Sequence, residues 1–472
     1  MPRRRTYLAL LAGALAGCST GPDGSGTAGS PTGGTPTPST GADRSTTSPP
    51  GTERPTTTEP STTVTDIERL PAEDPALAWA VNVPDEVQHG PAVDPERDRV
   101  YLGAGDATVP TPTDGSGGGT LVALGTANGD LAWREDTGAA VARPPVVHDG
   151  RVHAVTGYST GHRGIDQQVR AYDPGGTELW TTEPRTEFLD VVAADGGTLY
   201  VGSADDNLEF DGQRLFSLGP DGDVRWEREA GDTSGGTVAG GRLLYRVGVS
   251  GLASYVPTDG TERWTVRGRP LGNPTTDVAA FGGRCFLRDR TEEGTAMVAR
   301  SITDGSEEWR YERAVADGSF RPAGVANVPQ DVDGANDDKP IVVAGEGGTV
   351  TALDDGGTEL WAFAADGEIW SGPVVGDAVY VADRQGTVYA LEPYDGSERW
   401  RASVPDGSAV LPHSGGVLAY GSGDGWIAAS FAPDGSERWR YGTSRPMGRP
   451  TVVDGRVYAA GSDGTVLAFE GD

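Results

Sequence analysis

The sequence predicts an all-β protein, a single large β-propeller of four-stranded blades, and three observations predict it. A tryptophan-centred motif recurs nine times at intervals of 38 to 54 residues, every interval carries the same order of strand signals, and the two chain ends hold complementary parts of one unit. A period of roughly 40 to 50 residues with short apolar runs and Gly/Asp turns is what stacked four-stranded sheets require.

The motif is a small or apolar pair, a turn centred on Asp-Gly or a close variant, and a tryptophan four residues after the glycine. Copies read AYDPGGTELW at 171–180, ALDDGGTELW at 352–361, ALEPYDGSERW at 390–400 and FAPDGSERW at 431–439. The motif tryptophans are Trp79, Trp133, Trp180, Trp226, Trp264, Trp309, Trp361, Trp400 and Trp439. Within a unit, a run such as GPVVGDAVYVA at 372–382 supplies two strands joined by a Gly/Asp turn. A Gly-Thr pair then opens a third strand, as at 386–391, and the Asp-Gly turn leads into the fourth, which bears the tryptophan. The last unit, 451–469, has three strands and no tryptophan, whereas Trp79 in LAWAVNV has no three strands before it. The N-terminal strand is therefore expected to complete the last blade and close the ring, removing an open sheet edge. The count is eight whole blades and one split blade, nine in all, against the four to eight usual for propellers.

These residues resemble the PQQ-like repeat, whose pattern is Ala-x-Asp-x-x-Thr-Gly-x-x-x-Trp, over everything from about residue 77 to the end. The resemblance implies eight blades by precedent, so eight or nine remains open at this stage. It also implies that the tryptophans are structural, each ring burying itself against the next blade. By the same resemblance the chain looks like the propeller lipoprotein of the outer-membrane barrel-assembly machinery, which holds partner proteins.

Ahead of the propeller, residues 1–18 read as an export signal. Arg3, Arg4 and Arg5 precede an apolar stretch, Tyr7 to Ala16, which is about half of the roughly 20 residues a transmembrane helix needs. Leu15-Ala16-Gly17-Cys18 resembles a lipobox, which makes Cys18 the lipidated residue and the outer face of the cytoplasmic membrane the expected location. Arg4-Arg5-Thr6-Tyr7-Leu8 also looks like a twin-arginine motif, the alternative being an ordinary basic start of a signal. Residues 19–64 are almost wholly Gly, Ser, Thr and Pro and read as a disordered tether spanning roughly 40 Å.

The formal net charge is −31, and Lys339 is the single lysine. With the lysine depletion, this acidity looks like that of a halophilic archaeal protein; an acidic secreted protein of a GC-rich bacterium is the alternative. A Debye length of about 3 Å at molar salt would screen the repulsion. No basic stripe exists to neutralise phosphates, so nucleic acid is not an expected partner.

For chemistry the sequence offers less. With Cys18 lipidated, Cys285 has no disulfide partner, and its apolar setting reads as a small buried residue. His89, His148, His153, His162 and His413 show no zinc-ligand spacing, although His148 and His153 face each other across a turn. The quinoprotein dehydrogenases to which the repeats are also similar carry an adjacent cysteine pair under the quinone, which this chain lacks, so PQQ is not the expected cofactor. Asp331, Asp333, Asn336, Asp337 and Asp338 precede an apolar strand and resemble an Asp-rich calcium loop, but Ala335 and Lys339 stand where acidic ligands are wanted. Just before first strands stand His89, Arg143, Phe188, Arg269, Arg321, Trp370 and Arg449, candidates for ligand contacts at the axial mouth. The expected function is a monomeric, non-catalytic, lipid-anchored propeller that binds protein partners on the cell surface. Its rivals are a quinone-dependent oxidoreductase and a small-ligand receptor serving a membrane transporter or sensor.

Overall fold

The computed structural model describes residues 67–470 apart from 73, 85, 106–117, 160–163, 186–187, 205–212, 231–234, 273–277, 292–293, 314–321, 329–339, 346, 370, 406, 408, 423–424 and 446. Cys18, the 19–64 tether, the acidic loop Asp331–Asp338, Arg321, Trp370 and His162 therefore lie outside the described residues.

Nine antiparallel sheets follow one another around a ring, and apart from one three-residue 3-10 turn, Gly248–Ser250, every named element is a strand. Blades 1 to 8 occupy 92–136, 146–181, 188–229, 236–267, 269–312, 322–364, 374–403 and 409–443 in chain order. Blade 9 takes three strands from the C-terminal end, Thr451–Val453, Arg456–Ala460 and Thr465–Phe469, and its fourth, Leu77–Asn82, from the N-terminal end. The short strand Glu68–Arg69 adds a fifth, pairing with Val81 and Asn82 upstream of where the repeats begin. The count of nine, with one split blade, is thus the observed one.

Each blade interface has its own buried cluster. Leu121, Tyr101 and Val152 join blades 1 and 2, and the series runs unbroken to Leu418, Trp426 and Phe469 between blades 8 and 9. Trp79, Val81, Leu102 and Val466 then join blade 9 back to blade 1. Alternating apolar positions face the neighbouring sheet on both sides, which is why the middle strands, such as Thr387–Leu391, are buried almost throughout.

The motif has one local geometry. The tryptophan lies opposite a small residue on the preceding strand: Ala468 for Trp79, Ala123 for Trp133, Ala352 for Trp361 and Ser430 for Trp439. In each pair the register slips by one residue immediately before the tryptophan, a β-bulge that turns the intervening side chain outward. Leu179 and Leu360, at that position, are 45% and 47% exposed. The indole then crosses to the next blade and lies on the turn between its third and fourth strands. Gly396, at φ +70°, is so close that a Cβ would stand 2.4 Å from the Trp361 ring. Only glycine satisfies both the positive φ and the contact, and this is what the Asp-Gly of the motif is for. In most copies the indole N–H is satisfied by the same turn: Trp133 donates to Pro174 O at 2.8 Å, Trp180 to Pro220 O at 2.7 Å and Trp361 to Pro393 O at 2.9 Å, whereas Trp309 and Trp439 have no acceptor among the described residues.

Candidate functional site

A propeller's inner strands face its axis, and the side chains that lead into them are where a ligand meets the ring. His89 precedes the first strand of blade 1, and Arg143 precedes that of blade 2. The fold brings these two together. Burial, and after it the Arg143 guanidinium, lowers His89 to about 4, so the imidazole is neutral at neutral pH. Its Nε2 is buried and has no hydrogen-bond partner among the described residues. Arg143 donates through Nη1 to Ala142 O at 3.0 Å. Gly90, the next residue, approaches the Arg449 carbonyl so closely that a Cβ would stand 2.8 Å from it, which places the lead-ins to blades 9 and 1 in contact. A neutral imidazole beside a fixed positive charge suits recognition of a polar or anionic group.

The other expected mouth residues are placed differently. Arg269 does not precede a strand but opens one, Arg269–Pro270, and is exposed in blade 5. Phe188 likewise is the first residue of Phe188–Asp195. Of the described candidates, then, the structure joins His89 with Arg143 and with the Arg449 backbone, and sets Arg269 in another blade.

Most remaining reactive side chains belong to packing. Cys285 is buried, its thiol 3.6 Å from Arg300 O, and burial pushes its pKa up to about 12, so it holds no thiolate at neutral pH. His153 is buried with its ring centroid 5.8 Å from that of Trp180, and burial lowers it to about 4. His148 accepts the Gly197 N–H at 3.2 Å. His413 bridges Ser430 Oγ at 2.6 Å and Gly455 O at 2.8 Å, joining blade 8 to blade 9. The fully buried Asp383 is satisfied by Tyr389 OH at 2.9 Å and by the amides of Gln385 and Thr387. Among the described residues no group of three or more His, Cys, Asp or Glu is arranged to hold a metal ion. Sequence reasoning missed that the small motif residue faces the indole and that His413 ties two blades together; the signal for the first was the recurring Ala or Ser nine or ten positions before each tryptophan from Trp133 to Trp439, a place taken for Trp79 by Ala468.

A family model described as outer membrane protein assembly factor BamB matches residues 63–167, 165–321, 321–396, 346–412 and 384–472. The solved structure of BamB from Moraxella catarrhalis is 15% identical with a TM-score of 0.50, covering 69% of this chain and 95% of that one. Quinohemoprotein alcohol dehydrogenase from Comamonas testosteroni is 13% identical with a TM-score of 0.45, covering 83% of this chain and 76% of that one. A serine/threonine-protein kinase, AfsK of Streptomyces griseus, is 29% identical over 182 residues, 36% of this chain and 21% of the kinase, so the match spans about a fifth of that relative's length.

Proposed function

Because the chain belongs to the family of the outer membrane protein assembly factor BamB, we propose that it is a non-catalytic scaffold propeller that binds protein partners at the cell envelope. One observation carries this reading: the family's repeats build the entire described fold, a closed nine-blade ring whose aromatic motif residues are taken up in blade packing. A rigid ring offers partners a preformed surface, so little ordering entropy opposes association.

We propose further that Cys18 carries a lipid and that residues 19–64 tether the ring to the membrane. In this reading His89 and Arg143 contribute to recognition at the axial mouth, and the acidic loop Asp331–Asp338 would be the place for calcium if the chain takes any. The donor set there is incomplete, with Ala335 and Lys339 at two ligand positions.

The test is capture of crosslinked partners from the cell envelope at high salt, using the full chain as bait beside a Cys18→Ser form. The reading expects a discrete set of proteins, and it expects the Cys18→Ser form to leave the membrane fraction. A purified protein that carried a quinone chromophore and oxidised alcohols, and that captured no protein, would overturn it.

A further inference from the structure

Among the described residues, blade 9 alone carries a strand outside its tryptophan-bearing strand. There Glu68–Arg69 runs antiparallel to Leu77–Asn82 with Arg69 opposite Val81, and Leu70 donates its N–H to Ala80 O at 3.0 Å. Leu70 packs into the cluster that takes in Trp439 and Tyr441. Arg69 reaches Asp130 and, at 3.1 Å, Asn128 O, on the turn of blade 1 that covers Trp79.

The outer strands differ in how they guard their free edge. The three residues after the motif tryptophan include a charge in every blade except 6 and 9, where they read Ala362-Phe363-Ala364 and Ala80-Val81-Asn82. In blades 5, 7 and 8 the first of the three is an arginine paired with a glutamate of its own strand: Arg310 with Glu307 at 3.1 Å, Arg401 with Glu398 at 2.6 Å and Arg440 with Glu437 at 2.6 Å. Charges of this kind keep a sheet edge from pairing with another chain. Blade 6 has the glutamate, Glu359, but Ala362 stands in place of the arginine, and Glu359 accepts from Tyr311 and Arg313 instead.

The match between blades 6 and 9 extends to backbone and flanks. Ala365 donates to Gly348 O at 2.8 Å just as Val83 donates to Gly464 O at 2.8 Å, so the two outer strands share one phase. Ladder bonds alternate, and the backbone of Ala362, like that of Ala80, faces the free edge. A tyrosine stands two residues after the motif tryptophan only in blades 5 and 8, as Tyr311 and Tyr441, and these are the blades that precede 6 and 9. Ala362 and Ala364 are exposed and Leu360 is 47% exposed, an apolar edge on a chain of net charge −31.

We propose that the outer edge of blade 6, Glu359–Ala364, is a docking site to which an extended segment of a partner protein adds as a fifth strand. The fifth strand of blade 9 specifies that segment: an apolar residue whose N–H meets Ala362 O and, immediately before it, a basic residue opposite Phe363. The basic side chain faces the turn of blade 7 that covers Trp361. There Asp395 precedes Gly396 as Asn128 precedes Gly129, and its carbonyl is the matching acceptor. A second copy of this edge would bring Glu359 and no basic residue, so the occupant is a different chain.

The proposal names the partner chemistry of the scaffold reading and rests on it. The probe is a capped peptide of residues 67–72, Ile-Glu-Arg-Leu-Pro-Ala, with a benzophenone at its N-terminus, photocrosslinked to the full chain and mapped by mass spectrometry. The expected result is a saturable crosslink within 359–369, weakened about tenfold by Ala362→Arg and retained in Ala362→Val. Ala362→Arg should melt with the parent protein, since Arg401 and Arg440 already hold this place in blades 7 and 8. No crosslink within 359–369, or one equally strong in Ala362→Arg, would overturn the site. So would a parent dimer in sedimentation that Ala362→Arg makes monomeric, because the edge would then belong to a second copy. Envelope partners captured equally well by Ala362→Arg would overturn the site and leave the scaffold reading standing; capture by neither form would remove the scaffold reading itself.

Discussion

The indole of Trp79 donates its N–H to the carbonyl of Thr126 at 2.9 Å, while on its own sheet Trp79 lies opposite Ala468. One side chain near the N-terminal end thus binds blade 9 together from within and fastens it to blade 1. The bond to Thr126 spans 47 residues, much as the matching bond from Trp133 to Pro174 spans 41, whereas the pairing with Ala468 joins the two ends of the ring and closes it.

Trp79→Ala is expected to lower the melting temperature at least as much as Trp400→Ala. Trp79 is 3% exposed, whereas the Trp400 ring is only partly buried, and truncating a fully buried large side chain costs about 3–5 kcal/mol. Deleting 65–83 should destabilise the whole domain, because Thr465–Phe469 would lose its partner strand and present unpaired backbone groups. Deleting 19–60 should leave the melting temperature unchanged. Calorimetry of the four proteins checks this, and a silent Trp79→Ala beside a damaging Trp400→Ala would contradict closure through the N-terminal strand.

Gly396→Ala should destabilise by about 1–3 kcal/mol, since it combines a positive φ with a Cβ inside the Trp361 ring. Gly376→Ala, at ordinary φ with nothing within 4 Å, should be neutral within about 0.5 kcal/mol. Urea unfolding midpoints at fixed salt decide it; equal midpoints for the two variants would be inconsistent with the glycine's role.

Acid sensitivity should fall in His153→Phe. The folded pKa of His153 is about 4 against an ordinary 6.5, so between those values the unfolded chain takes up the proton and the folded chain does not. Stability is full above pH 6.5 and declines as pH drops toward 4, by at most about 3 kcal/mol from this group. Phenylalanine keeps the ring against Trp180 and removes the proton site. The difference in melting temperature between mutant and parent, measured from pH 7 to pH 4, should therefore grow in the mutant's favour; a constant difference would speak against it.

The melting temperature should rise steeply from dilute buffer to molar salt. A net charge of −31 repels itself across the whole surface, and salt removes that repulsion as the Debye length shortens to about 3 Å. Salt also weakens exposed pairs such as Arg440 with Glu437 at 2.6 Å and Arg401 with Glu398 at 2.6 Å, but each contributes only about 0–1 kcal/mol. Equal melting temperatures at both salt levels would show that the acidity has no such role.

By itself, the sequence determined the repeat, the strand order and the split blade, because these depend on local chemistry: an Asp-Gly turn, a β-bulge and a tryptophan recur wherever Asp173, Asp354 or Asp434 begins a turn. It also placed both halves of blade 9, since a three-stranded fragment and a lone strand can satisfy their backbone groups only with each other. Only the tertiary structure decided what lies between blades. That Arg143 stands beside His89 and that Arg269 does not join them follow from how adjacent sheets stack. Such contacts join side chains from separate units, and no spacing within a unit encodes them.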